Sequence, residues 1–395
     1  MNTRRALYRS GVVLYFIIAL EVLIMISPFA GFFYAVFNPV LLKLASNGGT
    51  RWLSAFFLPH MVLPSDPLLV VVRVLGSVLF VLGMAVFFLC AGQIYTAKLT
   101  KKGAVRGGLY SRIRHPQYLA LGIAGIGLSI LWPRFLNVVL WLVMLFLYYF
   151  LARDEERRML ASHGDSYRGY MATTGMFLPQ GTEDRILLSS FFARASFAFG
   201  IVVLALGSAF LLRLYTVDHL TLWNKAQNVT ALAILPEDGF KMDHRMQDVL
   251  NIPEVKSRIA DGKSYLVYFL PKDYIMQGMI ADTGEDWKLF NQHHSIAMIT
   301  DWIFNPFGHL REGHHAMHGA IAMEHHAAAA PADGVVRRLI FLSADTAPAP
   351  SELFAINTLR TPQFMADVEM HTMQLLGVRD LPHGSGWGTV PTPLF

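Results

Sequence analysis

The chain has 395 residues, of which 54% are hydrophobic and only 15% charged, and its mean hydropathy is +0.41. Water-soluble chains seldom carry that balance, so a membrane protein is expected, and the formal charge of +5 is read as topology rather than nucleic-acid binding. A single cysteine, Cys90, excludes an intramolecular disulfide and a zinc cluster built from cysteines.

The apolar excess stops near Tyr215, and beyond it the composition is that of an ordinary globular domain. The organisation expected is an N-terminal span and loop over 1–65, a membrane core over 66–182, a last span within 183–215 and a soluble domain over 216–395. The fold class follows: an α-helical polytopic membrane domain of about five segments, including a helical hairpin, followed by a small α+β soluble domain.

Arg4, Arg5 and Arg9 precede an apolar run from about Gly11 to Phe37. It is longer than the hydrophobic part of a cleaved signal peptide and reaches the roughly 20 residues that a bilayer core requires. Leu68 to Ala91 is the second span. A polar cluster follows with Lys98, Lys101, Lys102, Arg106, Arg112 and Arg114. Leu119 to Leu131 is short for a crossing, Trp132-Pro133 ends it, and Phe135 to Leu151 leads back as the second arm of a hairpin. A second cluster holds Arg153, Arg157, Arg158 and Arg168, and Ser196 to Leu214 is the last span. Lys and Arg concentrate at the N-terminus and in the two clusters, which the positive-inside rule assigns to the cytoplasm. Five crossings then put the tail outside.

If the hairpin doubles back through lipid, its two polar ends share one face. Arg114-His115-Pro116 stops one segment and starts the next, because proline biases His115 away from helix and is tolerated in a first helical turn. A cation, an imidazole and the Tyr118 phenol thus gather at a helix N-terminus, a place that favours anions. On the other arm Glu155 and Glu156 are expected to start a helix. Glu156, Leu160, His163, Tyr167 and Tyr170 then fall near one face at helical spacing. Acids, tyrosines and a basic helix end suit a zwitterion carrying amines, hydroxyls and a carboxylate. The plainer reading of the same residues is topological charge with interfacial tyrosines.

Gly108-Leu109-Tyr110, Arg114-His115-Pro116-Gln117-Tyr118, Glu155-Glu156, Gly164, Tyr167, Tyr170 and Leu178-Pro179, in this order, resemble the isoprenylcysteine carboxyl methyltransferase and phospholipid N-methyltransferase superfamily over about 68–179. The resemblance implies an integral-membrane enzyme that uses S-adenosylmethionine without a Rossmann domain. It implies a cofactor pocket lined by Tyr110, Arg114, His115, Pro116 and Tyr118, with Glu155 and Glu156 at the adenosine or amino end. Tyr167 and Tyr170 become the candidate catalytic residues. Carboxyl methyltransferases of this family carry an arginine shortly after the second tyrosine, where this chain has Met171-Ala172-Thr173-Thr174. That departure disfavours a carboxylate acceptor and leaves a lipid amine, a thiol or an isoprenoid-type acceptor.

In the tail, Val229 to Leu235, Ser264 to Leu270 and Val335 to Leu342 read as buried strands. Pro253 to Ala260, Asp286 to Phe304 and Phe364 to Leu376 read as helices, and Leu381 to Phe395 as irregular. Twelve of the fifteen histidines lie beyond Leu214, concentrated in a His/Met-rich loop over 309–334. His314, His315, His318, His325 and His326, with Met317 and Met323, are candidate ligands for copper or zinc; a solvated low-complexity loop is the alternative.

Two functions follow. One is a membrane methyltransferase acting on a lipid-like, amine or thiol acceptor. The other is a non-catalytic accessory subunit of a larger membrane complex, in which the methyltransferase-like core is a scaffold and the exported tail binds a partner or a metal.

Overall fold

In the computed structural model the described residues are 43–60, 66–100, 105–182, 191–226, 228–274, 336–344, 352–356 and 358–382, with single positions at 40, 62, 277, 280, 281 and 283. The first expected span, the helix over 286–304, the metal candidates His314, His315, His318, His325 and His326, and nearly all of 381–395 lie outside them. The chain forms two compact units, a helical one over Ala55–His60 and Pro64–Leu220 and another that holds a sheet from Thr221 onward.

The helical unit has four main helices: α1 (Pro67–Leu99), α2 (Pro116–Leu131), α3 (Phe135–Thr173) and α4 (Phe191–Asp218). Among the described residues, α1, α3 and α4 contain stretches long and apolar enough to cross a membrane, and α2 is a shorter apolar helix. Of the five segments expected, the first lies outside the described residues.

Each helix starts where local chemistry allows it. The Asp66 carboxylate accepts a hydrogen bond from the Leu69 amide at 2.9 Å, capping α1 just before Pro67. α2 begins at Pro116, whose missing N–H costs nothing at a first helical position. α1 and α2 then approach backbone to backbone, because the contact is made by glycines. A Cβ on Gly127 would stand 2.4 Å from the Phe80 nitrogen and 2.5 Å from the Gly76 oxygen. Small residues serve this purpose in lipid, where no hydrophobic driving force separates protein from solvent.

The turn between α2 and α3 is held by short bonds. Asn137 Nδ2 donates to the Trp132 carbonyl at 2.6 Å, and across the hairpin Trp141 Nε1 donates to Gly122 O at 2.9 Å. The segment Ala55–Phe57 closes this end of the bundle, with the Phe57 amide donating to Pro133 O at 2.8 Å and the Phe135 amide to Ala55 O at 3.1 Å. Arg134 is buried with its guanidinium 4.3 Å from the Phe56 ring centroid, and Arg213 of α4 donates to the Phe56 carbonyl.

α3 spans 39 residues with a kink at Gly164, and Glu155 and Glu156 lie inside its first part rather than starting a new helix. About 20 residues separate Phe135 from Glu155, or about 30 Å at 1.5 Å per residue, so the acids sit one hydrocarbon thickness from the turn. The helical path breaks at Gly164, where φ is 52° and ψ is −128°. The break resets the helical phase of Tyr167 and Tyr170 relative to Glu156, and along the expected face Glu156 and Tyr167 are buried whereas His163 is exposed and pairs with Ser162.

Among the described residues the other unit carries six strands in sequential order: β1 (Leu222–Trp223), β2 (Val229–Ala233), β3 (Ser264–Pro271), β4 (Val336–Ala344), β5 (Arg360–Glu369) and β6 (Leu375–Asp380). Only β2 and β3 are parallel, and the crossover they need contains α5 (Asp238–Asn251). The chain between β3 and β4 leaves at Pro271 and returns to pair at Arg337, its register partner. Met242, Met246 and Val249 of α5 cover Val267, Phe341 and Phe364 of the sheet. On β4 and β5, Arg338 makes two 2.7 Å hydrogen bonds to the Asp367 carboxylate and one of 2.8 Å to Gln277 Oε1.

The helix expected over Phe364–Leu376 is instead β5, a turn and β6. Its Met, Ala and Glu favour helix on propensity alone, but Phe364, Ala366 and Val368 alternate into the core while Asp367 meets Arg338. Pairing along β4 outweighs the propensity. The helix expected over Pro253–Ala260 is confined to Pro253–Lys256.

Replacing Gly127 with valine is expected to destabilise the helical unit by about 1–3 kcal/mol through overpacking. Gly92→Ala, where nothing lies within 4 Å, is the control. Thermal unfolding in detergent checks this: a lower midpoint for the first and an unchanged or slightly higher one for the second.

Candidate functional site

The hairpin brings its two polar ends together. Arg114, just before α2, and Glu156, in α3, meet with Nε 2.6 Å from Oε1, although 42 positions apart. Both side chains are buried. The guanidinium also donates through Nη1 to the carbonyls of Met171, at 3.2 Å, and Thr174. These carbonyls end α3, where a cation is favoured by the helix dipole and by unpaired acceptors.

A short backbone clasp reinforces the junction. Ile113 forms a parallel bridge with Gly175, the Arg114 amide donates to Gly175 O at 2.9 Å, and the His115 amide to Met176 O at 3.0 Å. The chain leaving α3 thus runs beside the residues that enter α2. Tyr170 adds a bond from its hydroxyl to the Tyr110 carbonyl.

His115 lies between the two acids. Its Nδ1 is 3.4 Å from Glu155 Oε2 and its Nε2 is 3.6 Å from Glu156 Oε1. At these distances neither nitrogen makes an aligned hydrogen bond, and both are buried without one, so the attraction is between charges. Burial pulls the imidazole down, but the paired glutamates outweigh it and hold His115 above its ordinary value.

Tyr118 donates to Glu155 Oε1 at 2.8 Å. Its ring stacks between His115, with centroids 5.6 Å apart, and Tyr148, at 5.1 Å. Tyr110 is buried and donates to Gln117 Oε1 at 3.1 Å, which ties the 3-10 turn Gly108–Ser111 to α2. Burial raises its phenol well above the usual range.

The structure therefore gathers Tyr110, Arg114, His115, Pro116, Tyr118, Glu155 and Glu156 around one junction, with Tyr167 buried and Tyr170 bonded beside it. The sequence reading missed Gln117, Tyr148 and the clasp at Gly175–Met176. Gln117 falls within the motif that was read, but nothing local marks Tyr148 or Gly175 as partners of residues 30 to 60 positions away.

Residues 67–165 match the family model for PEMT, phospholipid methyltransferase. The match spans α1, α2 and most of α3 and contains both the Arg114-His115-Pro116 element and the two glutamates; Tyr167 and Tyr170 lie just beyond it. No curated protein and no solved structure matches the chain. The resemblance to this superfamily is thus shown for the hairpin, in a membrane-embedded chain. Among the described residues no group of three or more His, Cys, Asp or Glu is placed to hold a metal.

The raised His115 value has a measurable consequence. Because the folded state favours the imidazolium, its stabilisation is complete below the ordinary imidazole value of about 6.5 and is lost as pH rises through the elevated folded value. The thermal midpoint is expected to fall as pH rises above about 6.5 and through the elevated folded value, with a weaker dependence in His115→Gln. Parallel slopes in the two proteins would contradict the assignment.

Proposed function

We propose that the chain is an integral-membrane methyltransferase that takes its methyl group from S-adenosylmethionine and passes it to a lipid-like, amine or thiol acceptor. The observation that supports this most is the junction itself: His115, with both ring nitrogens buried and unbonded, stands between Glu155 and Glu156 where the two arms of a phospholipid methyltransferase-family hairpin meet.

The residues present fit that cofactor. Two acids against one buried guanidinium and one imidazole leave the cluster at most neutral when His115 is protonated and negative when it is not. A sulfonium and an amino group are cations, and such a site draws them. Tyr118 and Tyr110 supply phenols beside these charges. When bound, S-adenosylmethionine supplies an already activated methyl group on a cationic sulfur. The chain's own work is then to bind, orient and exclude water, with no covalent nucleophile. His115, Tyr118 and Glu155 would hold the cofactor, and Tyr167 and Tyr170 would face the acceptor.

The acceptor reading rests on charge. The position after Tyr170 that carries arginine in carboxyl methyltransferases holds no cation of its own. The guanidinium that reaches it, that of Arg114, is already neutralised by Glu156. An amine or thiol, which needs no cationic clamp, suits the site better than a carboxylate, and a lipid bearing one would enter sideways from the bilayer. The second reading, an accessory subunit on a methyltransferase-like scaffold, draws on the same fact, since Arg114 and Glu156 satisfy one another without a ligand.

Transfer of tritium from labelled S-adenosylmethionine into a lipid extract separates the two. Incorporation is expected from membranes carrying the chain and is expected to drop at least about tenfold in His115→Ala, the cost of one charge-assisted contact. A purified chain that binds no S-adenosylmethionine in calorimetry would favour the scaffold.

A further inference from the structure

Three arginines whose charge lies inside the protein are each answered by a carboxylate. Arg114 meets Glu156, Arg337 meets Asp238 and Arg338 meets Asp367, at 2.6 to 2.8 Å. Arg360, the first residue of β5, is buried too, with 8% of its surface exposed, but its surroundings differ. Its Nη1 donates to the Leu353 carbonyl at 2.6 Å, while its Nη2 is buried with no hydrogen-bond partner. Among the described residues no carboxylate pairs with it. A charge left uncompensated in an apolar interior is costly.

The register shows what surrounds this cation. Arg360 pairs with Ala344 of β4, and Ala344 with Ser264 of β3, so the three share one face of the sheet. Tyr265, Val267 and Phe269 of β3 pack with α5, so Ser264, Leu266 and Tyr268 face the other way. Leu342 and Pro362 continue the Leu266 row across β4 and β5. The 3-10 turn Glu352–Phe354 lies against the guanidinium through the Leu353 carbonyl, with Leu353 and Phe354 both buried. Tyr268 is fully buried, and its hydroxyl makes no hydrogen bond among the described residues. Burial pulls the Arg360 guanidinium below its ordinary value and pushes the Tyr268 phenol above its own; each opposes the other's shift, which puts the two groups in one neighbourhood.

We propose that Arg360 and Tyr268 form a carboxylate-binding site on the face of the sheet opposite α5, which takes a small organic monocarboxylate with an apolar remainder. The free Nη2 edge supplies charge-assisted N–H donors to a planar carboxylate, and the phenol supplies an O–H. One guanidinium answers one negative charge, whereas a phosphate group carries about two near neutral pH and would bury the excess. Leu266, Leu342 and Pro362 suit an alkyl group rather than a hydrated one. The ligand enters by lifting the 3-10 turn, which Arg360 holds through Leu353. The site lies within the sheet unit and does not rest on the methyltransferase reading.

Amide hydrogen exchange in β3 and β5, read by mass spectrometry on the full chain in detergent, tests this. Butyrate is the probe, with inorganic phosphate and chloride at matched ionic strength beside it. Butyrate should slow exchange in both strands saturably, and the other two anions should not. Tyr268→Phe should need at least about tenfold more butyrate for the same effect, the scale of one hydrogen bond to a charged group. Arg360→Met separates a ligand site from a structural strut. A cation kept for a ligand lowers the stability of the empty protein, so without butyrate this variant should exchange as slowly as wild type or more slowly. Added butyrate should then change nothing.

Faster exchange or an unfolded sheet in Arg360→Met would make the arginine a strut for the turn and overturn the proposal. So would a butyrate effect that persists in that variant, or a wild-type chain that does not respond to butyrate. Phosphate acting as strongly as butyrate would overturn the assignment to carboxylates.

Discussion

A guanidinium and a carboxylate buried 2.6 Å apart hold the ends of the α2–α3 hairpin together, and the arrangement around them follows from what that pair requires. Two charges taken out of water are costly, and their attraction repays the cost only when geometry is good and the remaining donors are satisfied. Arg114 meets that condition with the Met171 and Thr174 carbonyls, the acceptors a helix end leaves open. The same bonds fix where α3 stops and force the chain beyond it alongside Ile113–His115. His115 and Tyr118 are then placed against Glu155 because they are the next residues along.

The bilayer supplies the constraint that makes such a meeting possible. Within hydrocarbon every backbone group must be bonded internally, so each arm is helical and the turn between them must be sealed. Ala55–Phe57 does this at one end, with backbone bonds to Pro133 and Phe135. At the other end α3 continues beyond the hydrocarbon, so its acids stand at the depth where α2 begins. Glycine contacts between α1 and α2 keep the bundle close enough for the Tyr110 hydroxyl, just ahead of α2, to reach the Cys90 carbonyl of α1.

Much of this was legible because membrane segments announce themselves by long apolar runs and because Trp132-Pro133 marks the turn. Arg114-His115-Pro116 could be read as the start of a helix from proline's geometry alone. The exact partners could not. That Arg114 chooses Glu156 and not Glu155, or that Gly175 runs beside Arg114, depends on the rotation of α3 and on how it ends. The break at Gly164 shifted the helical phase of Tyr167 and Tyr170 beyond it, which no periodicity in the sequence announces. In the tail, strands with continuous apolar runs were visible, whereas β5 was not. Its Asp367 sits in an apolar stretch only because Arg338 on β4 neutralises it, a long-range fact absent from any local window. The helix α5 was overlooked because its apolar residues, Met242, Met246 and Val249, are sparse in a polar stretch.

The excursion between β3 and β4 shows how the tail could have come to carry an unusual composition. Pro271 and Arg337 are register partners on adjacent strands, so the chain departs from and re-enters the sheet at one place. Seen from the sheet, residues 272–335 are a graft on a single hairpin tip, and closure entropy rises only slowly with the length of such a graft. The His- and Met-rich sequence it contains is therefore free to lengthen, shorten or change its composition by descent without altering a strand pairing.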